Sequence, residues 1–446
     1  MPSSEEILDI VKREGITTIR FIYLGNDGII RAKASHADFL KSHMEGGIGL
    51  TKAMQSFNAL DELVSGGFGP QSSEFRIMPQ LETFAVTPYA PKNARFISEL
   101  WDLDLEPSET DARYFLRRVM GQAEEAGFKA MASCEAEFYL FKREDGGIVP
   151  QNREKCFATH GYDLANEIIQ EWLDSLSKMN VRVERVIKEY GPAQYEVAMR
   201  YADALKAADD MVTLRDVVKG VAARHGLSAS FMPKPFPRLA GSGMHIHLSL
   251  WDVEGRRNLF YDGGDGRGYN LSEAGYHFIK GLLEHMKALC PIVCPLSNSY
   301  KRLLTGSWAP THVCYGYDNR AVAVRIPSQS VASKGESTRI EFRLPDPSAS
   351  PYLAVGATIA AGLEGIRRGV DPGEPLNVDY PEIERRAEWL PRTLGEALKE
   401  MRNSAFLRAT LGDTLFEEYI RVRESEWKAY TEQVTEWEVD SFIDSF

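Results

Sequence analysis

Apolar residues recur in the first part of the chain with two different periods. In "SEEILDIVKREG" they return every three to four positions, as in an amphipathic helix. "TIRFIYLGNDGIIRAKA" is typical of two strands joined by an "NDG" hairpin turn, and strand-like pieces follow a glycine-rich loop up to "ARFISELWD". These patterns predict a small α+β domain over residues 1–105.

A new amphipathic pattern begins in "LEPSETDARYFLRRVMGQAEEAG", where we expect a serine or threonine to cap the start of a helix. We therefore place a domain boundary near residue 105. Strand and helix patterns mix beyond it, and from about residue 380 apolar residues at helical spacing alternate with charges. The sequence predicts a larger second domain over residues 106–446, which ends in packing or interface helices.

Four short segments alternate polar and apolar residues with the period of a β-strand. An exposed sheet face is the simpler explanation for any one of them. All four, however, offer Glu, His or Arg against an apolar opposite face, which favours a curved sheet lining a polar cleft. The polar positions are Glu135 and Glu137 in "CEAEFYLF"; Glu196 and Arg200 in "QYEVAMRY", with Glu189 upstream; His245, His247 and Ser249 in "GSGMHIHLSL"; and Arg339, Glu341 and Arg343 in "RIEFRLP".

Composition and charge exclude several classes of protein. The net charge of −12 over 446 residues opposes binding to phosphate backbones, so we do not expect a nucleic-acid partner. No apolar run approaches the roughly 18 residues of a membrane span, and the N-terminus has no apolar leader, so a cytoplasmic protein is expected. The five cysteines form no CxxC pair, which argues against a disulfide framework or a thiolate zinc site.

The polar cleft has the chemistry of a metal and phosphate site. Glutamates with one histidine are hard ligands that suit Mg²⁺ or Mn²⁺, and without a cation such packed carboxylates repel one another. Arginines bind phosphate or carboxylate groups through paired hydrogen bonds. The candidates for this role are Arg302, Arg320, Arg325, Arg339 and Arg343. Metal and arginine together indicate phosphoryl transfer from a nucleotide, although neither a P-loop nor a dinucleotide-binding GxGxxG motif is present.

The order of these segments resembles that of the glutamine synthetase family over nearly the whole chain. The motifs that carry the resemblance are "EAEFYLF", "KEYGPAQYEV", "FMPKPF", "GSGMHIHLSL", "NSYKRL", "DNRAVAVRIP" and "STRIEFRLPDPSASPYLA". The resemblance implies an N-terminal β-grasp domain and a catalytic domain with a curved antiparallel sheet and flanking helices. It also implies active sites closed by neighbouring subunits, commonly in a dodecamer of two hexameric rings.

The resemblance also implies roles for individual residues. Glu137, Glu189 and Glu196 would hold the metal ion beside L-glutamate, and Glu135, His245 and Glu341 would hold the metal ion that bridges the ATP phosphates. Arg302 and Arg343, with the backbone at Gly241, would bind the glutamate carboxylates. Arg320, Arg325, Arg339, His247 and Ser249 would bind ATP, with Arg320 also stabilising the transferring phosphoryl group. Glutamate would be activated as γ-glutamyl phosphate, which an amine would then convert to a γ-glutamyl amide.

The sequence departs from true glutamine synthetases where ammonium is handled. The family uses an aspartate in an N-terminal loop and a glutamate in a flap before "AP"; here Thr51 and Trp308 occupy these positions. Ala240 replaces an asparagine near the amino-acid site, which leaves the amino-acid substrate less certain. Ammonium must be attracted and deprotonated, and neither a threonine nor a tryptophan provides the negative group. We therefore expect an apolar amine pocket, best suited to a neutral, aniline-type amine, with a small alkylamine such as isopropylamine next.

The sequence leaves three alternatives open. In the first alternative, Trp308 only fills space in the flap and a nearby carboxylate binds the amine, so that the protein is an ammonia-using glutamine synthetase. In the second alternative, the enzyme accepts polyamines and binds them with another acidic residue. The nearest acidic residue downstream, Asp318, lies just before the nucleotide-side Arg320 and is poorly placed to bind the amine. In the third alternative, the chain is an inactive scaffold. A scaffold, however, has no reason to keep a full set of buried charges that cost stability.

Overall fold

The computed structural model describes residues 2–144 and 147–446. The helices are α1 (Ser4–Arg13), α2 (Leu40–Gly46), α3 (Ala112–Glu125), α4 (Thr159–Asp163), α5 (Asn166–Lys178), α6 (Ala204–Arg224), α7 (Glu273–Val293), α8 (Lys334–Ser337), α9 (Pro351–Arg368), α10 (Tyr380–Arg386), α11 (Leu394–Arg402), α12 (Ala405–Leu411), α13 (Asp413–Thr431) and α14 (Glu436–Phe442).

The strands are spread over the described residues as far as β18, after which only helices follow. They are β1 (Thr18–Leu24), β2 (Ile30–His36), β3 (Ile48–Thr51), β4 (Glu74–Pro79), β5 (Ala85–Val86), β6 (Asn93–Trp101), β7 (Lys129–Glu144), β8 (Gly147–Pro150), β9 (Val183–Lys188), β10 (Gln194–Met199), β11 (Ala202–Asp203), β12 (Ser228–Ser230), β13 (Met244–Trp251), β14 (His312–Val313), β15 (Tyr315–Tyr317), β16 (Val324–Ile326), β17 (Ile340–Phe342) and β18 (Glu388–Trp389).

The N-terminal part is a small sheet packed against α1 and α2. Its strand order is β2-β1-β6-β4-β3, with β5 added beside β6, and the central pair β1 and β6 runs parallel. The predicted hairpin is present as β1 and β2. Helix α1 begins with a capping box, in which Ser3 and Glu6 each accept a hydrogen bond from the other's backbone N–H.

The larger part is built on a sheet with the order β15-β16-β17-β13-β7-β10-β9. Strand β7 lies at its centre and also pairs with β8, β11 and β12. One face of this sheet packs on the helices α3, α5 and α6 in the main hydrophobic core, with α9 packed against α3 and α6, and the other face carries the polar residues. The predicted α+β class is confirmed.

Close helix packing supports the sheet from behind. On α7, a side chain at Gly281 would place its Cβ 2.1 Å from the carbonyl oxygen of Ala361 on α9. Gly365 on α9 faces α7 with the same lack of space, so only glycine allows the two backbones to approach this closely. Pairing of α7 with α9 thus depends on the absence of two side chains.

The junction between the two parts is fixed by Asp111. This residue caps α3 by accepting a hydrogen bond from Tyr114 N at 2.8 Å, and its other oxygen accepts one from Leu100 N at 3.0 Å. The expectation of a serine or threonine cap was therefore wrong. The division near residue 105 stays a prediction, because Ile22 and Ile97 of the small sheet pack into the large core.

Within the residues that the structure describes, we find no helix with both the length and the apolar character needed to cross a bilayer.

Candidate active site

Strand register brings the predicted acidic residues onto one face. Glu137 on β7 lies directly opposite Glu196 on β10, and Glu135 lies opposite His245 on β13. Across the next pair of strands, the opposing positions hold His247 and Glu341. Since side chains alternate along a strand, the residues between them enter the hydrophobic core on the other face.

Two trios of these side chains could each hold one cation. Ligand atoms of Glu135, His245 and Glu341 lie within 4.8 Å of one another, and so do those of Glu137, Glu196 and His245. The first trio is the set predicted for the phosphate-side metal ion. In the second, His245 stands in the place predicted for Glu189, whose carboxylate instead accepts a hydrogen bond from Tyr190 N at 3.1 Å. His245 is thus shared between the two trios.

The raised pKa values of Glu137 and Glu196 show that this side of the site has too little positive charge to balance its carboxylates. Burial, and then the charges of Glu135 and Glu137, raise the pKa of Glu196 to about 10. Burial and the charge of Glu189 raise the pKa of Glu137 to about 7. A set of carboxylates with one histidine, strained by mutual repulsion, suits a hard divalent cation, so the residues present fit Mg²⁺ or Mn²⁺.

The phosphate side of the cluster is richer in cations. Burial opposes ionisation of Glu135, yet His247 lowers its pKa to about 2. Arg339 Nε donates to Nδ1 of the His247 ring at 3.1 Å, and Nε2 of the same ring lies 3.1 Å from a carboxylate oxygen of Glu135. Ser249, on the same strand face, accepts a hydrogen bond from the indole of Trp251.

Glu341 is the point where the arginines meet the carboxylates. Its oxygens accept hydrogen bonds from Arg343 and, at 2.6 Å, from Arg325. Arg325 also donates to Asp318 at 2.7 Å. Although burial opposes it, the guanidinium of Arg343 holds the pKa of Glu341 far below its usual range.

The other predicted arginines differ in how firmly they are held. Arg302 is buried and donates to the carbonyl oxygens of Leu344 and Arg343 at 2.8 and 3.1 Å. Gly241 lies against its stem, since a Cβ there would be 2.7 Å from Arg302 Cγ. Arg320 is exposed, and its charge acts on Glu189, whose pKa burial otherwise raises.

Trp308 lies in the flap with a left-handed backbone, at a φ of 63°. Its side chain is 63% exposed, and its carbonyl oxygen lies 3.4 Å from Arg343 Nη2. The flap therefore reaches the predicted glutamate-binding arginine through its backbone, while the ring remains open to solvent in the single chain. Thr51 is elsewhere, at the end of the outer strand β3, where its hydroxyl accepts a hydrogen bond from Ala53 N.

Two further polar residues of the site escaped the sequence analysis. Gln194 Nε2 lies 3.2 Å from the Glu137 carboxylate and 3.0 Å from the carbonyl oxygen of Gly241, so it joins the metal side to the glutamate side. Its position two residues before Glu196 on the same strand face was the available signal. Arg185 donates to Glu135 at 3.0 Å, whereas Arg200 lies beyond the end of β10 and outside the cluster.

The chain is similar to known proteins over nearly its whole length. The family model "Glutamine synthetase, catalytic domain" matches residues 109–442, and the model "Glutamine synthetase N-terminal domain" matches residues 3–108. The glutamine synthetase of Thermotoga maritima is 36% identical, with 98% of this chain and 99% of the relative covered. For that of Thermus thermophilus the identity is 34%, with 99% of both covered.

Solved structures agree with this result. A structure described as a GmaS/ADP complex is 30% identical and superposes with a TM-score of 0.87, covering 98% of this chain and 99% of the other. Another, described as a novel glutamine synthase homolog, is 29% identical with a TM-score of 0.84, covering 97% and 99%.

Proposed function

The chain belongs to the glutamine synthetase family, and from that premise we propose that it joins L-glutamate to an amine other than ammonia, preferably an aromatic, aniline-type amine. The chain is an ATP-dependent carbon–nitrogen ligase that uses divalent metal ions. The proposed product is a γ-glutamyl amide, formed through γ-glutamyl phosphate.

The observation that carries this proposal is the environment of position 308. The Trp308 carbonyl contacts Arg343, so the flap lies beside the arginine proposed to bind glutamate. A glutamate at this position would add a negative charge there, and tryptophan adds none. Asp318 does not replace it, because its carboxylate is already engaged by Arg325 at 2.7 Å and by Ser328 N at 2.9 Å.

The missing charge selects among amines. Ammonium, alkylamines and polyamines are cations at neutral pH and require an anionic partner to bind and to lose a proton. An aniline-type amine is neutral and nucleophilic under the same conditions. The exposed ring of Trp308 is free to stack on it, which contributes about 0.5–1.5 kcal/mol beyond area burial.

Each bond change has candidate residues in the cleft. A γ-carboxylate oxygen of glutamate attacks the terminal phosphorus of ATP, and the bond to ADP breaks. Arg302 and Arg343 would bind the glutamate carboxylates, with the backbone at Gly241. Arg320, Arg325, Arg339, His247 and Ser249 would bind the nucleotide. The amine nitrogen then attacks the acyl carbon, the bond to phosphate breaks, and the departing phosphate accepts the amine proton.

Glu135, His245 and Glu341 would hold one divalent cation, and Glu137, Glu189 and Glu196 another. Bound there, such cations supply charge neutralisation for the ATP phosphates and the glutamate carboxylate. Arg320 is exposed and unattached to the cluster, so it is free to approach the transferring phosphoryl group. The structural neighbour described as a complex with ADP supports nucleotide binding by this fold.

The assembly is part of the proposal. Thr51 lies on the outer strand of the small sheet, and its hydroxyl accepts a hydrogen bond from the backbone N–H of Ala53. In the family arrangement this loop completes the active site of a neighbouring subunit. We therefore infer a ring-forming homo-oligomer, a dodecamer by resemblance, in which Thr51 and Trp308 of two subunits border one amine pocket.

An ammonia-using glutamine synthetase is the second candidate, because the similar relatives from Thermotoga maritima and Thermus thermophilus carry that name. An inactive scaffold is disfavoured, since the buried cluster of carboxylates and arginines costs stability that a scaffold has no reason to spend.

The test is phosphate release from ATP with L-glutamate and Mg²⁺ or Mn²⁺, measured with ammonia, aniline, isopropylamine and putrescine. We expect the highest kcat/KM with aniline and the lowest with ammonia. Ammonia as the best acceptor would overturn the proposed amine and leave the ligase chemistry intact.

A further inference from the structure

A completely buried lysine immediately precedes Glu189 in the chain. Lys188 is the last residue of β9, and its side chain has 0% exposure. Its Nζ donates to the carbonyl oxygens of Glu189 and Gly191, both at 2.7 Å. Within residues 2–144 and 147–446 it forms no ion pair with a carboxylate, so its hydrogen bonds serve the backbone of the next turn.

That turn presents Glu189 to the cleft. Glu189 N donates to the carbonyl oxygen of Gln194 at 2.8 Å, and Gln194 N donates to that of Gly191 at 3.0 Å. A side chain at Gly191 would collide with the hydroxyl of Tyr139, 1.9 Å from its Cβ. The turn is therefore closed tightly, and the lysine ammonium fastens it from below at two carbonyl groups.

The lysine itself is held in place by the preceding segment. Its stem packs on Gly161, where a Cβ would lie 3.0 Å from Lys188 Cγ. Its backbone N–H donates to the hydroxyl of Tyr162 at 3.1 Å, and its carbonyl oxygen accepts from Phe157 N at 3.0 Å. Because the lysine side chain is fixed in this way, the turn that is bonded to its Nζ has little freedom to move.

We propose that Lys188 is a positioning residue for Glu189: it fixes the turn after β9 that carries this carboxylate, and thereby sets the affinity of the glutamate-side cation site. The inference rests on the proposed function, in which Glu189 holds that cation. Residues that orient metal ligands commonly change metal affinity about 10- to 100-fold when they are replaced.

The test is Mn²⁺ binding to the metal-free, full-length protein, followed by calorimetry and electron paramagnetic resonance without any amine. Lys188→Met keeps the apolar stem and removes the donors. We expect the dissociation constant of one class of Mn²⁺ site to rise about 10- to 100-fold while the other class changes less than about twofold.

Lys206→Met is the control, because Lys206 Nζ also donates to a backbone carbonyl oxygen, that of Asn180 at 2.9 Å, although it pairs with Asp210 as well. It should leave both classes of site unchanged. A Glu189→Gln background tests the route of the effect: there Lys188→Met should weaken Mn²⁺ binding no further.

Unchanged Mn²⁺ binding by a folded Lys188→Met protein, equal weakening of both classes, or a single class of site in the native protein would overturn the proposal. If Lys188→Met does not fold, Lys188→Gln retains an uncharged amide NH2 as a donor group and should weaken the same class about 10-fold; unchanged affinity in that variant overturns the proposal as well. Ammonia as the best acceptor in the phosphate-release test would reject the proposed amine without affecting this result.

Discussion

Glu137 and Glu196 lie directly opposite each other on adjacent antiparallel strands. Like charges at such positions destabilise a sheet, and here the charges of Glu135 and Glu189 act on the pair as well. The folded protein therefore needs protons or a cation at this face. Folding, pH and metal binding are coupled through this one pair.

Stability of the metal-free protein should fall with rising pH. The folded-state pKa is raised from about 4.5 to about 7 for Glu137 and to about 10 for Glu196, so the folded protein binds more protons than the unfolded chain across this interval. Glu135 and Glu341 have lowered pKa values, and their stabilising contributions are already complete above their ordinary pKa.

Thermal unfolding from about pH 6 to about pH 9 tests this coupling, with EDTA or with saturating Mg²⁺. The melting temperature should decline with pH in EDTA and decline much less with Mg²⁺. Equal slopes under the two conditions would contradict the coupling.

Trp308→Glu should move amine preference toward cations. The change restores an anion beside Arg343, so the ratio of kcat/KM for aniline to that for ammonia should fall about 10-fold or more, since stacking is lost and ammonium is attracted. Stability should change by less than about 0.5 kcal/mol, because the side chain is 63% exposed. Leu304→Glu adds the same charge at another exposed position, four residues before Trp308, and should leave the ratio unchanged. Equal effects of both variants on this ratio would show that the residue at position 308 does not determine amine preference.

Glu341→Gln should destabilise the metal-free protein strongly. It removes the carboxylate that pairs with Arg343 and Arg325, and breaking a buried ion pair from one side costs about 3–5 kcal/mol. Urea unfolding in EDTA measures the loss. The exposed pair of Glu388 and Lys287 is the control, since Glu388→Gln should cost less than about 1 kcal/mol. Similar losses in the two variants would mean that burial of the Glu341 cluster contributes little.

Removing the C-terminal segment should reduce the size of the assembly. Helix α14 buries no residue in the single chain, while Trp437, Phe442 and Ile443 are exposed. Such a group of apolar side chains indicates an interface. Deletion of residues 433–446 should lower the mass seen by size-exclusion chromatography with light scattering and leave the melting of the subunit nearly unchanged. An unchanged mass would place the subunit contacts elsewhere.

The polar face of the large sheet is predictable from sequence, because period-two alternation assigns Glu135, Glu137, His245 and Glu341 to one side. Register is not predictable in this way: β8, α4, α5 and β9 separate β7 from β10 in the chain, so no local turn determines that Glu137 faces Glu196. The cap of α3 was missed because Ser108, Thr110 and Asp111 are all good capping residues, and only the side chain of Asp111 accepts hydrogen bonds from both Tyr114 N and Leu100 N.

The role of Lys188 could not be predicted from the sequence either. Its partners are backbone carbonyl groups, which every residue carries, so nothing in "VIKEYGP" distinguishes a buried clamp from a surface lysine. The direction of the Trp308 side chain is likewise set by a backbone conformation that residue types alone do not specify.

The alternation along β7 has a practical consequence for enzyme engineering. Inserting or deleting one residue in this strand would turn Ala136 and Phe138 into the cleft and bury the glutamates in the core. Libraries that seek new amine acceptors should therefore leave the strands untouched and vary the flap around Trp308, where exposed side chains can change without disturbing the fold.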